Sequence, residues 1–291
     1  MQQTIYSFDE FRTSNYSTSP HYLVVGHPIS HSLSPVMHNL ALRHHGIEAK
    51  YVAVDLNPKS IADFTSWMNR DSFLGCNITI PYKRQLFPLV DSVSPEAEAV
   101  GAINTIKRNP EGTELSAFNT DIYGFQKPLE EYRDKLDYGR AILFGTGGAS
   151  LAVQYALEEQ GFEEIIIVSR TPDRIQPPAG NSFTRVVDYS QWQEFADEAC
   201  LIINSTPLGM GKYSESSVVN QQDADYLMDT VCYDLVYNPM ETKFLKLAKT
   251  SGAVTINGLD MLIYQGSRSF EIWTGYTFPF DLVKNELLTH F

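Results

Sequence analysis

The sequence predicts an α/β protein of two domains, the second of them a doubly wound parallel sheet. From Tyr22 onward, short β-branched runs alternate with helix-patterned stretches, the way parallel α/β architecture reads in sequence. After "YGFQKPLEEYRDKL" the composition shifts, and six short apolar strands follow one another across residues 126–259. A chain of 291 residues also exceeds the usual size of a single core.

The elements follow in order. Residues 1–20, rich in Ser, Thr and Tyr, read as a polar extension without an assigned role. "HYLVVG" is the first strand; Ser34 then reads as an N-cap with Pro35 in the first helical position, and Gly46 ends that helix. "YVAVDL" is a strand, "SIADFTSWMN" a helix and "GCNITI" a third strand. "GAINTIKR" and "TELSAF" pair as a hairpin around the turn "NPEG". Beyond the composition shift come "RAILF", a helix ending at Gly161, "EEIIIV", "RVVDY", "CLIIN", "TVCYDLVY" and "AVTING". "GLDMLIYQGSRSFEIWTG" and "DLVKNELLTHF" are two closing helices, and periodicity alone leaves open which domain they join.

Charge and cysteine usage narrow the partners. The net charge is −13, with no basic stripe, which excludes nucleic acid and anionic membranes as general partners. An anionic ligand must therefore be held by a few placed cations. Cys76, Cys200 and Cys232 are odd in number, far apart and embedded in apolar runs, so they read as free thiols rather than a disulfide or a zinc site. The histidines between His27 and His45 do not read as metal ligands, because His27 and His31 sit in a Pro/Ser loop without nearby carboxylates. "MQQTIYSFDEF" has no basic region followed by an apolar stretch, and no apolar run approaches the ~20 residues of a membrane span. The expected location is the cytoplasm.

"FGTGGAS" places Gly145, Gly147 and Gly148 directly after a strand and directly before a helix. Glycines there permit a tight turn and close approach of the backbone to a pyrophosphate, which the helix N-terminus favours with free N–H groups and its dipole. The third fingerprint position is Ser150, so the loop is a variant of the Rossmann pattern. At the end of the next strand, dinucleotide sites that select NAD place an acid on the ribose 2′-hydroxyl. This chain has "VSRTPDR" there, and the guanidiniums of Arg170 and Arg174 suit a 2′-phosphate. The reading is NADP.

The first domain carries its own polar constellation. "HPISHSLSP" packs Ser30, Ser32 and Ser34 into one loop. In "GCNITIPYK", strand alternation puts Asn77 and Thr79 on one face with Ile78 and Ile80 on the other, and Lys83 follows in the turn. Asn104 in "AINT" and Asp121 in "FNTD" add an amide and a carboxylate. Taken singly, Ser34 and Asp121 are good N-caps, Asn104 a turn residue and Lys83 a surface lysine.

Together these segments, with "VGAINT", "SRTPDR", "NSTPLGM", "YDLVYNP" and "NGLDMLIYQG", resemble the shikimate dehydrogenase family from about Tyr22 to the C-terminus. The resemblance implies a substrate domain over 1–125, an NADP domain over 126–259, and C-terminal helices over 260–291 that return to the substrate domain. It implies that Ser32 and Ser34 bind the shikimate carboxylate and that Thr79, Asn104, Asp121, Tyr237 and Gln265 contact shikimate. Lys83 and Asp121 resemble the catalytic pair. Gly145, Gly147, Gly148, Ala149, Arg170, Thr171 and Arg174 would hold NADP, with Leu235 and Gly258 near its nicotinamide end.

The implied reaction is reduction of 3-dehydroshikimate by NADPH to shikimate, on the route to chorismate and aromatic amino acids, by a monomer or homodimer. Such chemistry needs an ammonium that stabilises the developing alkoxide and donates its proton, and a carboxylate that orients it. Lys83 and Asp121 match those needs. Two other readings stay open at this level: a quinate/shikimate dehydrogenase of broader substrate or cofactor use, and a ligand-sensing module without catalysis. The Lys83–Asp121 pair argues against the second.

Overall fold

Where Val, Ile and Leu run together the chain forms strands, and the computed structural model, which describes residues 4–29, 32–175 and 183–291, gathers them into two sheets. The chain divides into two compact units, Met1–Asp121 with Ile263–His290, and Ile122–Leu262.

The first unit holds β1 (Ile5–Ser7), β2 (His21–Gly26), β3 (Lys50–Asp55), β4 (Phe73–Ile78), β5 (Ser92–Val93), β6 (Thr105–Arg108) and β7 (Leu115–Phe118). They lie in the order β1-β3-β2-β4-β6-β7-β5. The strands β1, β3, β2 and β4 run parallel, while β6 is antiparallel to both β4 and β7, so the hairpin around "NPEG" is present. Every residue of β2 is buried, as a central parallel strand requires.

Three local expectations are corrected here. Residues 1–20 are not merely a polar extension: they supply β1 and helix α1 (Phe8–Thr13), which a Ser7–Glu10 capping box starts. Phe8 and Phe11 are buried against Phe64 and Trp67, and each such side chain contributes about 1.5–3 kcal/mol. Ser34 is the first helical residue of α2 (Ser34–His44) rather than its cap; the Ser32 hydroxyl accepts the Ser34 N–H at 3.3 Å. Gly46, at φ +65°, follows that helix as expected. Finally, β4 stops at Ile78, so the alternation does not extend to Thr79 and Ile80, and Ile80 is 71% exposed. Pro81 restricts the backbone just before it and cannot donate to a ladder.

Helices α3 (Ile61–Trp67) and α4 (Pro95–Val100) complete the loops between these strands, and α5 (Asp121–Leu129) begins at the end of the unit.

In the second unit, β8 (Arg140–Phe144), α6 (Gly148–Glu159), β9 (Glu164–Val168), β10 (Thr184–Val187), β11 (Ala199–Asn204), β12 (Val231–Asp234), α7 (Lys243–Thr250) and β13 (Val254–Ile256) follow one another. The sheet is parallel throughout, in the order β10-β9-β8-β11-β12-β13. Counted along the chain this is 3-2-1-4-5-6, the doubly wound order, with its switch point between β8 and β11. Ile142, Phe144, Ile166 and Ile202 pack with Trp192 and Phe244 in its core.

The chain closes with α8 (Leu259–Thr274) and α9 (Phe280–Leu288). From Ile263 onward they belong to the first unit. Trp273 donates from its indole to Ile106 O at 2.9 Å and stacks on Tyr22, and α9 packs against α2. A Cβ at Gly75 would lie 2.5 Å from Ile106 O and 2.6 Å from the Trp273 indole nitrogen, so only glycine lets the helix approach β4 this closely. Among the described residues, no helix is long and apolar enough to cross a membrane.

Candidate active site

In the first unit the structure brings Lys83, Asn104, Asp121 and Gln265 together. Lys83 sits in the turn after β4, where its carbonyl accepts the Ile103 N–H at 2.9 Å. Its ammonium donates to Asp121 Oδ2, and both side chains are largely buried. Asp121 opens α5, where the helix dipole favours a carboxylate.

Asn104 fixes the other oxygen. Its Oδ1 accepts the Thr120 N–H at 2.7 Å, a group that can only donate, so the orientation of the amide is settled and Nδ2 faces the carboxylate. Nδ2 then donates to Asp121 Oδ1 at 2.8 Å and lies 3.5 Å from Gln265 Oε1 on α8. Asp121 is thus held by an ammonium on one oxygen and an amide on the other.

Asn77, at the end of β4, is 6% exposed and makes a second hub. Its Oδ1 accepts from the Tyr51 phenol at 2.7 Å. Its Nδ2 donates to Asn104 O, Thr105 Oγ1 and Ser269 Oγ at 3.2, 3.1 and 2.9 Å. A continuous polar chain therefore runs from Tyr51 through Asn77, Thr105 and Asn104 to the Lys83–Asp121 pair. In the serine loop, Ser32 is tied to the Ser34 N–H. Thr79 stays outside the polar chain: the Thr79 methyl packs on Gly26, where an added Cβ would lie only 2.5 Å away. Ser30 and His31 lie outside the described residues.

His27 requires a correction. Its Nδ1 lies 2.5 Å from Asp55 Oδ1, a carboxylate brought by β3 from distant sequence. Among the described residues no group of three or more potential metal ligands occurs.

In the second unit the glycine loop follows β8 at the switch point. Gly145 has φ +113° and a Cβ there would meet Ser205 Oγ at 2.6 Å, so both backbone and neighbour demand glycine. Gly147 is different: nothing lies within 4 Å of the place a Cβ would occupy. It caps α6 without any side-chain bond, which leaves the first-turn N–H groups of Gly148 and Ala149 open. Ser150, buried in the first turn, donates to Gly145 O at 2.7 Å and ties the loop back on itself. An open cradle over uncapped helical N–H groups fits a pyrophosphate.

After β9, the buried Ser169 accepts the Thr171 N–H at 3.1 Å, and Arg170, Thr171 and Arg174 are exposed. Among the described residues no carboxylate pairs with either arginine. Exposed guanidiniums at that strand end fit the 2′-phosphate of NADP.

Leu235 and Gly258 are in contact. A Cβ on Gly258 would lie 2.2 Å from Leu235 O, so the glycine permits this approach. The turn carrying Leu235 and Tyr237 rests on Asp234, whose Oδ1 accepts from Asn204 Nδ2 and the Val236 N–H at 2.9 and 3.0 Å. Its Oδ2 accepts from the Thr242 hydroxyl at 2.6 Å. Burial pushes the Asp234 carboxyl up to about 6 against these hydrogen bonds. Sequence reasoning passed over Asp234, Asn204, Tyr51, Thr105, Thr120 and Ser269. A polar residue closing an apolar strand would have pointed to Asp234 and Asn204; Tyr51 reads as ordinary core.

Residues 24–106 match the family description "Shikimate dehydrogenase substrate binding domain", and residues 258–288 match "Shikimate 5'-dehydrogenase C-terminal domain". A shikimate dehydrogenase (NADP(+)) of Salinibacter ruber is 38% identical over 265 residues, covering 88% of this chain and 92% of that protein. That of Carboxydothermus hydrogenoformans is 38% identical over 270 residues, covering 91% and 95%. The solved shikimate 5-dehydrogenase of Thermus thermophilus, in complex with NADP(H) and shikimate, superposes with a TM-score of 0.81 at 33% identity, covering 94% of this chain and all of that one.

Proposed function

The chain belongs to the shikimate dehydrogenase family, and from that premise we propose that it catalyses the reversible NADPH-dependent reduction of 3-dehydroshikimate to shikimate. The observation that carries the proposal is the Lys83–Asp121 pair, buried beside Asn104 and Gln265. When bound, NADPH supplies the hydride; Gly147, Gly148 and Ala149 would hold its pyrophosphate, Arg170, Thr171 and Arg174 its adenosine end, and Leu235 and Gly258 its nicotinamide end.

The residues of the chain do the rest. Lys83 Nζ stands against the substrate ketone, stabilises the alkoxide as it forms and donates its proton to that oxygen; in the reverse direction it receives the proton. Asp121 Oδ2 keeps the ammonium aimed, and Asn104 keeps Asp121 from turning. Asn104, Gln265 and Thr79 fix the ring hydroxyls. Ser32 and Ser34 take the carboxylate through donated hydrogen bonds, which are strong when the acceptor is charged.

The enzyme works in the cytoplasm as a monomer or homodimer; its three cysteines are free, which suits a reducing compartment. Purified protein mixed with NADP and shikimate should generate reduced nicotinamide, read at its near-ultraviolet absorbance. Turnover of quinate but not shikimate would reassign the substrate, and turnover of neither would sink the proposal.

A further inference from the structure

The hydrogen bonds around Asn77 admit one polarity only. Asn77 Nδ2 lies 3.2 Å from the carbonyl oxygen of Asn104, an atom that only accepts, so the amide cannot be reversed. Its Oδ1 is then the acceptor, and the Tyr51 phenol, 2.7 Å away, must donate. With its one proton committed to Asn77, the phenol has no other hydrogen to donate. The Tyr51 ring has little freedom: His38 stacks on it at 4.3 Å between centroids and 13° between planes. Burial holds the Tyr51 phenol well above its ordinary pKa and His38 down at about 3, so the phenol keeps its proton and the imidazole is neutral.

We propose that Tyr51 is a positioning residue for the substrate end of the site, acting through Asn77. Resting on the shikimate reading of that site, the inference names what fixes its floor. The phenol is the donor to Asn77 Oδ1, at the strand end that leads to Asn104. Without that donor the buried Oδ1 has reason to turn, and any turn withdraws Nδ2 from Asn104 O, Thr105 and Ser269. The hydroxyl, not the ring, carries the effect.

The test is a double-mutant cycle between Tyr51→Phe and Asn77→Ala, read as the dissociation constants of shikimate and NADP by calorimetry, with kcat alongside. Tyr51→Phe keeps the ring on His38 and should weaken shikimate about 2- to 12-fold, the worth of one hydrogen bond. In the Asn77→Ala background the same change should alter shikimate binding less than about 2-fold, because the residue acts through Asn77. NADP binding should stay level in all four proteins. Equal losses in both backgrounds, no loss at all, or a parallel loss of NADP would each overturn the role given to Tyr51. If Tyr51→Phe does not fold, 3-fluorotyrosine at position 51 retains ring and hydroxyl with a stronger donor, and must shift shikimate affinity without moving NADP. A wild-type protein that binds no shikimate overturns the functional reading and this inference with it; wild-type binding that ignores position 51 overturns the inference alone.

Discussion

The Asn104 amide donates to Asp121 Oδ1 at 2.8 Å while the opposite oxygen of the same carboxylate receives Lys83. Because the Thr120 N–H fixes which end of the amide points where, Asp121 cannot rotate without breaking a buried bond. Lys83→Ala should therefore lower kcat by about 10²–10⁴-fold, the usual contribution of a general acid. Asp121→Asn should also lose activity, and the double variant should lose less than the product of the two, since the pair acts as a unit. Near-normal kcat in folded Lys83→Ala protein removes Lys83 from the mechanism.

The glycine loop separates two jobs that sequence treats alike. Gly145→Ala meets both a positive φ and the Ser205 hydroxyl, and should destabilise the fold by about 1–3 kcal/mol. Gly147→Ala meets nothing, at an ordinary φ of −80°, and should leave stability within about 0.5 kcal/mol of wild type. If the space beside Gly147 receives the pyrophosphate, that silent variant must still bind NADP more weakly. Thermal melting together with NADP titration separates the two, and unchanged NADP affinity in Gly147→Ala moves the pyrophosphate elsewhere.

How far the sequence speaks depends on distance along the chain. The doubly wound sheet was legible because each strand is its own apolar run, and the glycine turn falls where strand meets helix. The Phe8–Phe11 pair was hidden by the polar residues around it, although Ser7 and Glu10 already spell a capping box. His27 looked free of carboxylates because Asp55 reaches it only when β2 and β3 pair. Tyr51 could not be read at all: an aromatic residue in a strand is ordinary core until its phenol is seen on Asn77. Local chemistry was legible; contacts made by pairing were not.

Asp234 sets a pH dependence of stability. Its carboxyl is raised from 3.8 to about 6 in the folded protein, chiefly by burial. Between these values the folded state binds the proton and the unfolded state does not, so the contribution is full below about pH 4 and lost as pH rises through 6. Two pKa steps correspond to about 3 kcal/mol. Asn at this position can accept from Asn204 and Val236 and donate to the Thr242 oxygen, so Asp234→Asn should fold. Denaturant melts at pH 4.5 and 7.5 should show the wild type losing stability relative to Asp234→Asn across that interval. Parallel behaviour of the two proteins would mean that Asp234 does not titrate there.

Cofactor choice gives the sharpest electrostatic test. Ser169 occupies the strand end where an NAD site carries an acid, and it is turned inward to hold the Thr171 N–H. Arg170 and Arg174 stand exposed just beyond it, with Asp173 between them exposed as well. A hydrogen bond to a charged group contributes about 1.5–3 kcal/mol, so losing one arginine should weaken NADP roughly 10- to 150-fold. Solvent exposure and salt screening place the effect near the lower end of that range. NAD lacks the 2′-phosphate and should be nearly indifferent to either substitution. The measurement is KM for both cofactors in wild type, Arg170→Ala and Arg174→Ala at one ionic strength, repeated at a higher one, where the NADP advantage should shrink. Equal losses for the two cofactors, or a wild-type preference for NAD, would place the 2′-phosphate away from these arginines.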